Sequence, residues 1–491
     1  MVRLPKFLLG SKSRIAYDAA VTLSVSLFVL GFDWAFLGHT VGPAILVSPL
    51  LVLLLNSALG VYTRFRIGSG RVKTPILTVS VVASAALLFL VAPSVPAVVL
   101  WAVLLWAPLV LPRIFLNFNT RVKSSFISAA VRGKGPVLVV GGAGYIGSHV
   151  VDQLLRAGFP VRLLDTFIYG KDSIQEFLGN SRFEAIEGEV TDIMKLTEAM
   201  SGVSAVVHLA GLVGDPACAV DESFTRHTNV IATRMLKEIA ISLGVPRFVF
   251  ASSCSVYGAN EREVDELSEL NPVSLYAHTK IDSEKELLSL IDESFSVTIL
   301  RFATVFGHSR RPRFDLVANL FTAQAYNEGR ITLSGADQWR PFIHVSDLAR
   351  AVVMVIQADP DLVGGQTFNV GDSRLNMTIG QLAEQVQAIV SEERPVEVVS
   401  QAIEGDRRNY FVSFRKIHRV LGYQASVLVA DGVREMLAEF KKGSYHHYRD
   451  AIYSNLEMTR RALADFRDPA HSARLYGPIA DEFHQARVAN E

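Results

Sequence analysis

Residues 137–147 read Val-Leu-Val-Val-Gly-Gly-Ala-Gly-Tyr-Ile-Gly. The four apolar residues of this stretch predict a buried parallel strand, and the largely apolar run that follows predicts a helix over 145–157. Between them, Gly141, Gly144 and Gly147 have the spacing G-x-x-G-x-x-G. A tight turn, a close backbone approach to a pyrophosphate and packing of the helix on its strand each need a residue without a side chain. The stretch therefore predicts a dinucleotide-binding loop, with the diphosphate at the helix N-terminus.

A second apolar run, 161–165, ends in Asp165, 18 residues after Gly147. An acidic side chain at this position accepts hydrogen bonds from the adenosine ribose hydroxyls and repels a 2′-phosphate. The two motifs together predict NAD, rather than NADP, as the cofactor.

The composition of the 491 residues excludes several classes of protein. The formal net charge is zero, so nothing draws the whole chain toward nucleic acid. Two cysteines, Cys218 and Cys254, provide neither a disulfide framework nor a metal cluster, which suits a reducing cytosol. The length predicts more than one domain. Apolar residues make up 50% of the chain and concentrate before residue 120.

Four apolar stretches precede the glycine-rich loop, and each has about the 20 residues that a transmembrane helix needs. They cover roughly residues 17–38, 41–62, 74–93 and 96–116. Lysines and arginines lie before the first stretch, between the second and third, and after the fourth, but not in the other two connections. By the positive-inside rule this alternation predicts four spans, with both termini and the rest of the chain in the cytoplasm. The alternative is a buried helical bundle of a soluble protein.

From residue 136 onward, strand-like apolar runs alternate with helical patterns, which predicts a doubly wound parallel α/β sheet. The predicted strands are 137–141, 161–165, 183–187, 205–209, 247–251 and 297–301, and the predicted helices are 145–157, 193–201, 226–243 and 275–291. Ligands of such sheets bind at the carboxyl ends of the strands. The residues that follow each strand are therefore the candidates for a site.

Motifs follow these strands in a fixed order. They are Gly188-Glu-Val-Thr-Asp, His208-Leu-Ala-Gly, Ser252-Ser-Cys-Ser-Val-Tyr-Gly and, opening a helix, Tyr276-Ala-His-Thr-Lys280. With the glycine loop and Asp165, they make residues 136–440 resemble an extended short-chain dehydrogenase/reductase of the NAD-dependent epimerase/dehydratase family.

The resemblance implies a division of the chain into four parts. Residues 1–125 form the predicted membrane segment, and 136–302 form an NAD-binding Rossmann domain. Residues 303–440 form a small α+β substrate lobe that returns in part to the Rossmann sheet. Residues 441–491 extend beyond the usual end of the family, and we expect helices that pack on the domain or on a second subunit.

Tyr276 and Lys280 are four residues apart, so both side chains lie on one face of the predicted helix. An ammonium near a phenol favours the phenolate, and we expect it to lower the pKa of Tyr276 from about 10 toward the working pH. Tyr276 is then a general base on a sugar hydroxyl while a hydride passes to the nicotinamide. The resemblance adds Lys280 as a ligand of the nicotinamide ribose and Ser253 as the hydroxyl that bridges the same oxygen. The alternative for Tyr276 and Lys280 is a pair of side chains on the surface of a helix without a catalytic role. The alternative for Ser253 is a hydroxyl at a strand end that hydrogen-bonds to the backbone.

The resemblance also implies which residues contact the cofactor. They come from the glycine loop, from the ends of the next three strands and from two helices: Gly141, Gly144, Tyr145, Ile146, Gly147, Asp165, Glu189, Val190, Leu209, Ala210, Gly211, Asn229, Tyr276 and Lys280. Glu189 stands where the family usually has Asp, and Asn229 is either structural or near the cofactor. We expect Cys254 to be a small buried filler rather than a nucleophile.

The second half of the chain resembles the lobe that holds a nucleotide diphosphate sugar. Arg340 is expected to bind the diphosphate, because a planar forked cation suits it. The resemblance assigns further substrate contacts to Ser253, Thr304, Asn319 and Arg408, although the family often has Asn at the position of Thr304. The alternative for each arginine is a surface salt bridge.

The residues around Ser253 limit the reactions that the resemblance implies. Sugar 4,6-dehydratases of this family carry an acidic pair after the hydroxyl residue, where this chain has Cys254 and Ser255, and decarboxylating relatives need a nearby glutamate that is absent here. The resemblance therefore favours oxidation and re-reduction of one carbon, a C4 epimerisation in cell-surface polysaccharide or glycan biosynthesis. A dehydratase, a net dehydrogenase or reductase, and a non-catalytic NAD-binding membrane scaffold remain alternatives. We also expect a homodimer at the cytoplasmic membrane.

Overall fold

The chain divides into two compact units, Met1–Ile127 and Ser128–Glu491. The structure, a computed structural model, describes residues 11–32, 48–58, 78–86, 99, 101–106, 135–289, 295–402, 408–445 and 447–467.

Helical segments make up the described part of the first unit. They are α1 (Ser11–Phe32), α2 (Ser48–Ala58), α3 (78–86) and α4 (101–106). No helix in the described ranges is both long enough and apolar enough to cross a bilayer, so these segments do not support the predicted four-span membrane segment. Each predicted span also extends into residues outside the described ranges.

A parallel sheet forms the centre of the second unit. The strands of this unit are β1 (Val137–Val140), β2 (Val161–Asp165), β3 (Phe183–Glu187), β4 (Ala205–His208), β5 (Arg247–Ser253), β6 (Ser296–Phe302), β7 (Thr304–Phe306), β8 (Arg330–Ser334), β9 (Trp339–His344), β10 (Gln366–Val370), β11 (Asn376–Thr378) and β12 (Glu397–Gln401). Seven of them form one sheet in the order β10-β6-β5-β4-β1-β2-β3, with every pair parallel. The predicted doubly wound α/β fold is confirmed. Six of its seven strands were predicted from the sequence, and β10 was not.

Helices cover both faces of this sheet. The helices of the second unit are α5 (Gly147–Arg156), α6 (Ile193–Met200), α7 (Asp215–Cys218), α8 (Glu222–Arg226), α9 (Ala232–Ser242), α10 (Leu275–Leu288), α11 (Val317–Glu328), α12 (Val345–Gln357), α13 (Pro360–Val363), α14 (Ile379–Ser391), α15 (Arg415–Leu421), α16 (Val429–Lys441) and α17 (Asn455–Arg467). Short 3-10 turns occupy Asp172–Phe177, Cys254–Tyr257, Ser373–Leu375 and Ala451–Tyr453, and a π-helical turn occupies His227–Ile231.

Strand β1 shows why the sheet is buried on both faces. Val137 and Val139 pack in one core with residues of α5 and α12, whereas Leu138 and Val140 pack in another with residues of α6, α9 and α10. Successive side chains of a strand point to opposite faces, so an unbroken apolar run fits a strand between two helical layers. The strand order reverses between β1 and β4, and the crevice at this point is where such folds bind ligands.

The predicted substrate lobe has its own core beside the sheet. Strands β11, β9 and β7 form a three-stranded sheet, and β12 pairs with β8. Residues of α11, α14 and α16 pack with them, including Phe306, Phe342 and Leu382.

The C-terminal extension packs on this lobe. Tyr445, Tyr448 and Tyr453 surround Phe314, with ring centroids 5.1 to 6.1 Å from it. The chain then enters α17. The described residues of 441–467 therefore pack on the second unit itself, which was one of the two expectations from sequence.

Candidate functional site

The first and last glycines of the glycine loop, Gly141 and Gly147, have no room for a side chain. Gly141 has a φ of +81°, and a Cβ there would lie 2.7 Å from the backbone nitrogen of Ala210. A Cβ on Gly147 would lie 2.3 Å from the carbonyl oxygen of Gly141. Helix α5 begins at Gly147 and no side chain caps its N-terminus, where the helix dipole favours an anion. The loop thus fits the diphosphate of a dinucleotide.

Asp165 lies at the carboxyl end of β2, beside this loop. One carboxylate oxygen accepts a hydrogen bond from Ala143 N and the other from Phe167 N, each at 2.9 Å. Burial raises the pKa of Asp165, and these hydrogen bonds oppose the rise. The carboxylate holds the loop in place, a role that sequence reasoning missed. Its predicted contact with the adenosine ribose, like those of Glu189 and Val190 after β3, stays a prediction.

Two other residues predicted to contact the cofactor also have roles within the protein, and their cofactor contacts stay predictions. Tyr145 donates a hydrogen bond from its hydroxyl to the carbonyl oxygen of Gly307 at 2.7 Å, and Ile146 is the N-cap of α5. The Tyr145 side chain therefore ties the glycine loop to the loop that follows β7.

The segment after β4 approaches the glycine loop closely. The backbone nitrogens of Leu209 and Ala210 both donate to Val140 O, and the left-handed φ of Gly211 places that residue against Asn229. The Asn229 side chain accepts from Leu212 N at 2.7 Å and donates to Leu212 O at 3.0 Å and to the Thr279 hydroxyl at 3.1 Å. Asn229 therefore fixes this loop against α10, which is the structural role that was one of its two expected roles.

The structure brings the three predicted catalytic residues together. Ser253 ends β5, and its hydroxyl is close enough to the phenol of Tyr276 on α10 to lower the pKa of that phenol. One turn further along α10, Lys280 donates to the carbonyl oxygen of Ala251 at 2.8 Å, and its Nζ lies 5.8 Å from the centre of the Tyr276 ring. The arrangement places a phenol, a hydroxyl and an ammonium at the carboxyl edge of the sheet.

The prediction that Lys280 lowers the pKa of Tyr276 is wrong for this structure. Burial raises the pKa of Tyr276 above its usual range, and the Ser253 hydroxyl opposes the rise. Burial also lowers the pKa of Lys280 to about 8. Desolvation disfavours both charged forms. Two residues four apart on a helix reveal their proximity in a sequence, but not how deeply both are buried.

The lowered pKa of Lys280 predicts a pH-dependent stability difference. The folded chain releases this proton near pH 8, whereas an unfolded lysine keeps it to about 10.5. The unfolded state therefore binds more protons in this interval, and the cost of burying the charge falls as the pH rises. From about pH 7 to about pH 9.5, we expect the free energy of unfolding of the wild type to rise by about 2 kcal/mol relative to Lys280→Met. Urea titrations across this range measure it.

Lys285→Met, at an exposed position of the same helix, is the matched control. Its stability difference from the wild type should stay flat across the same range. An equally flat difference for Lys280→Met would contradict the lowered pKa.

A buried polar network, which sequence reasoning missed, supports the catalytic helix. Glu284 of α10 receives two hydrogen bonds from Arg301 of β6, at 3.0 and 2.7 Å, and a third from the Ser252 hydroxyl of β5. Arg301 also donates to the Tyr257 hydroxyl at 3.0 Å, which in turn donates to Asn369 of β10 at 2.8 Å. Glu284 is four residues beyond Lys280, so the sequence shows that it shares a helix face with Lys280. The sequence does not show that its partner is Arg301, because Arg301 lies on a strand.

This network predicts a large stability effect. We expect Glu284→Gln to lower the free energy of unfolding by about 3 to 5 kcal/mol, because it leaves the buried Arg301 guanidinium without its counter-ion. Asp282→Asn, on the same helix with a half-exposed partner, Arg226, at 3.4 Å, should cost at most about 1 kcal/mol. Urea unfolding of both variants measures this. Equal losses of unfolding free energy in the two variants would show that the buried Glu284–Arg301 pair stabilises the fold no more than the exposed pair.

The predicted substrate arginines hold the protein's own groups. Arg340 is buried and donates to the carbonyl oxygens of Trp339 and Arg408, at 2.8 and 2.7 Å. Arg408 forms an ion pair with Asp215 at 3.4 Å, and Asp215 accepts from the Ser274 hydroxyl, the N-cap of α10, at 2.7 Å. A chain of polar contacts therefore links both arginines to the helix that carries Tyr276.

The structure places Asn319 elsewhere. Its buried amide accepts from Gly307 N at 3.0 Å and donates to Arg313 O at 2.9 Å and to the Tyr145 hydroxyl at 3.3 Å. Asn319 thus belongs with the glycine loop rather than with Arg340. Thr304 begins β7, two residues after β6 ends, and its substrate contact stays a prediction.

Both cysteines are buried and neither is activated. Cys254 donates to Arg301 O at 3.3 Å, and burial raises its pKa, which suits the expected filler. Cys218 of α7 packs in one cluster with Tyr276 and with Leu463 of α17, and burial raises its pKa to about 12. The packing of the C-terminal helix this close to Tyr276 was not predicted from the sequence.

The similarity of this chain to known proteins lies in the second unit. Residues 137–371 match the model of the NAD dependent epimerase/dehydratase family. The uncharacterized UDP-glucose epimerase YtcB of Bacillus subtilis is 29% identical over 318 residues, which are 62% of this chain and 96% of that protein. The dTDP-D-glucose 4,6-dehydratase of Mus musculus is 27% identical over 337 residues, which are 64% of this chain and 91% of that protein.

One similar solved structure shows both ligands that the sequence predicts. It is the UDP-glucuronic acid 4-epimerase from Bacillus cereus in complex with UDP-glucuronic acid and NAD. It superposes with a TM-score of 0.57 and 25% identity over 62% of this chain and 99% of its own. The cofactor expected from the glycine loop and Asp165 is NAD, in agreement with these comparisons.

Proposed function

We propose that this chain, an NAD-dependent enzyme of the epimerase/dehydratase family, inverts the configuration of nucleotide diphosphate sugars at C4. The observation that carries the proposal is the Ser253–Tyr276 pair followed by Cys254 and Ser255, which are both buried and neither of which is acidic. The pair suits oxidation of an alcohol. The residues after it offer no carboxyl group to assist the loss of water.

Each group of the site has a defined part in this reaction. Tyr276, as phenolate, takes the proton from the C4 hydroxyl, and the Ser253 hydroxyl donates a hydrogen bond to the same oxygen. NAD, when bound, accepts the hydride from C4 and later returns it. Tyr276 gives its proton back to the oxygen as the keto sugar is reduced on the opposite face. The Ser253 hydroxyl and the positive charge of Arg313 favour the phenolate against the effect of burial.

The test is a panel of UDP- and dTDP-sugars incubated with the full chain and analysed by NMR. We expect a C4 epimer at equilibrium without added NAD and without a net change of absorbance at 340 nm. A product that has lost water, seen by mass spectrometry, would establish a dehydratase, the second candidate, which the Mus musculus relative favours. Steady NADH formation would indicate a net dehydrogenase.

We also propose that residues 1–125 attach the enzyme to the cytoplasmic face of a membrane for polysaccharide synthesis. The alternation of basic and uncharged connections supports this. So does the arrangement of the described helices, which bury polar residues such as Asp18, Ser26 and Asn56 and expose Leu27 and Phe28. Polar residues inside and apolar residues outside are typical of helices that face lipid.

Fractionation of cells tests this attachment, and light scattering of the purified chain tests the predicted homodimer. We expect the chain in the membrane pellet after a carbonate wash. Recovery in the supernatant would contradict the attachment, whatever the reaction catalysed.

A further inference from the structure

Three arginines in the loop after β7 differ in their partners. Arg310 pairs with Glu176 and lies 3.8 Å from Asp152. Arg313 forms two hydrogen bonds with Asp315, at 2.9 and 2.8 Å. Arg311 has no carboxylate within 4.0 Å in the described part of the chain.

Arg311 is nevertheless buried, with only 5% of its surface exposed. Its Nε is buried without a hydrogen-bond partner in the described residues, and Nη2 reaches only the carbonyl oxygen of Ile452, at 3.4 Å. Burial of a cation without a counter-ion is costly, so such residues are usually paired with an anion. Burial lowers the pKa of Arg311 to about 10, in keeping with an uncompensated charge.

The position of Arg311 indicates which anion it would pair with. Its guanidinium lies 3.6 Å from the ring centre of Tyr169, four residues after Asp165. Arg311 is close enough to lower the pKa of Asp165, whose carboxylate holds Ala143 of the glycine loop. Two residues before Arg311, the Ser309 hydroxyl donates to the carbonyl oxygen of Tyr145 at 2.7 Å, so the segment that carries the guanidinium packs against the loop that fits the diphosphate.

The C-terminal segment 447–467 holds this arrangement in place. Besides the Ile452 contact, Asn455 accepts from the Tyr169 hydroxyl at 3.3 Å and donates from its side chain to Val213 O at 3.1 Å. Its backbone nitrogen donates to Asp315 at 3.4 Å. One residue thus connects the loops that follow β2, β4 and β7.

We propose that Arg311 binds the diphosphate of NAD, and that segment 447–467 positions Arg311 and Tyr169 for this contact. The inference rests on NAD as the cofactor and does not depend on which sugar is the substrate. The NAD site then includes a cation from the loop after β7, in addition to the backbone N–H groups of the glycine loop.

The test compares Arg311→Met with Arg310→Met, the neighbouring arginine that already has acidic partners. Binding of NAD, ADP and adenosine to the full chain, freed of bound nucleotide, is measured by calorimetry. We expect Arg311→Met to weaken NAD and ADP by about 10- to 100-fold, the usual effect of losing a hydrogen bond between charged groups. Adenosine, which has no phosphate, should bind as to the wild type, and Arg310→Met should bind all three normally.

A second readout separates binding from folding. Without ligand, the Tm of Arg311→Met should equal or exceed that of the wild type, because a buried unpaired cation is removed. The rise in Tm on adding NAD should shrink. Arg311→Lys keeps the charge but loses the forked geometry. Its affinity for ADP should lie between those of the wild type and Arg311→Met.

Three results would overturn the proposal. One is unchanged ADP and NAD affinity in Arg311→Met. Another is a loss of UDP affinity with normal ADP affinity, which would assign Arg311 to the diphosphate of the sugar nucleotide. The third is a large fall in Tm without ligand together with normal ADP affinity in Arg311→Lys, which would make Arg311 structural.

Discussion

Tyr276→Phe is expected to lower kcat/KM for epimerisation by about 100- to 10,000-fold, the usual contribution of a general acid–base group. The change removes one oxygen and leaves the ring in the cluster with Cys218 and Leu463. The proton of the C4 hydroxyl then has no acceptor, although Ser253 and Lys280 are unchanged. NAD affinity should stay near the wild-type value, because the glycine loop and Asp165 are untouched.

The matched control is Tyr423→Phe. Tyr423 is also buried, and its hydroxyl donates to Asp347 O at 3.2 Å, on the helix α12 rather than in the site. It should cost some stability and leave kcat/KM unchanged. Tyr276→Phe with near wild-type activity would contradict the assignment of Tyr276 as the base. If the wild type and the variant were both inactive on every sugar tested, the alternative of a non-catalytic NAD-binding scaffold would be favoured.

The parts of the site that the sequence predicts correctly are local. The strand, the three glycines and the start of α5 follow one another within 137–147, so their conformation depends on residues in the same short stretch. The same is true of Tyr276 and Lys280, which one helix turn brings together. The family resemblance then supplied Ser253, whose contact with Tyr276 joins β5 to α10.

The parts that escaped prediction depend on distant partners. Glu284 meets Arg301 across the core, and Asn319 turns toward Tyr145, 174 residues earlier. The pKa of Tyr276 moved opposite to expectation because burial, which depends on the whole fold, outweighs the nearby ammonium. The role of Arg311 rests on contacts with Tyr169 and Ile452, from opposite ends of the catalytic unit.

The glycine loop gives the second large prediction, the effect of Gly147→Ala. The added Cβ would lie 2.3 Å from Gly141 O and 2.6 Å from the Cα of Gly142, both backbone atoms that no rotamer change can move. The loop must therefore shift by about 1 Å, and a shift of that size in a positioned group costs roughly 100-fold in kcat/KM. We also expect a loss of about 1 to 3 kcal/mol in the free energy of unfolding, as in other overpacked sites.

Two measurements separate these effects. The amount of NAD that remains bound after gel filtration should fall sharply for Gly147→Ala, and the Tm of the nucleotide-free chain should fall only modestly. Gly179→Ala is the control, since a Cβ there meets nothing within 4 Å, and it should match the wild type in both. If Gly147→Ala kept its NAD and its Tm, the backbone of this loop would have room to spare. The diphosphate would then depend less on close approach of the glycines, and more on cations such as Arg311, than the contacts of Gly147 with Gly141 and Gly142 indicate.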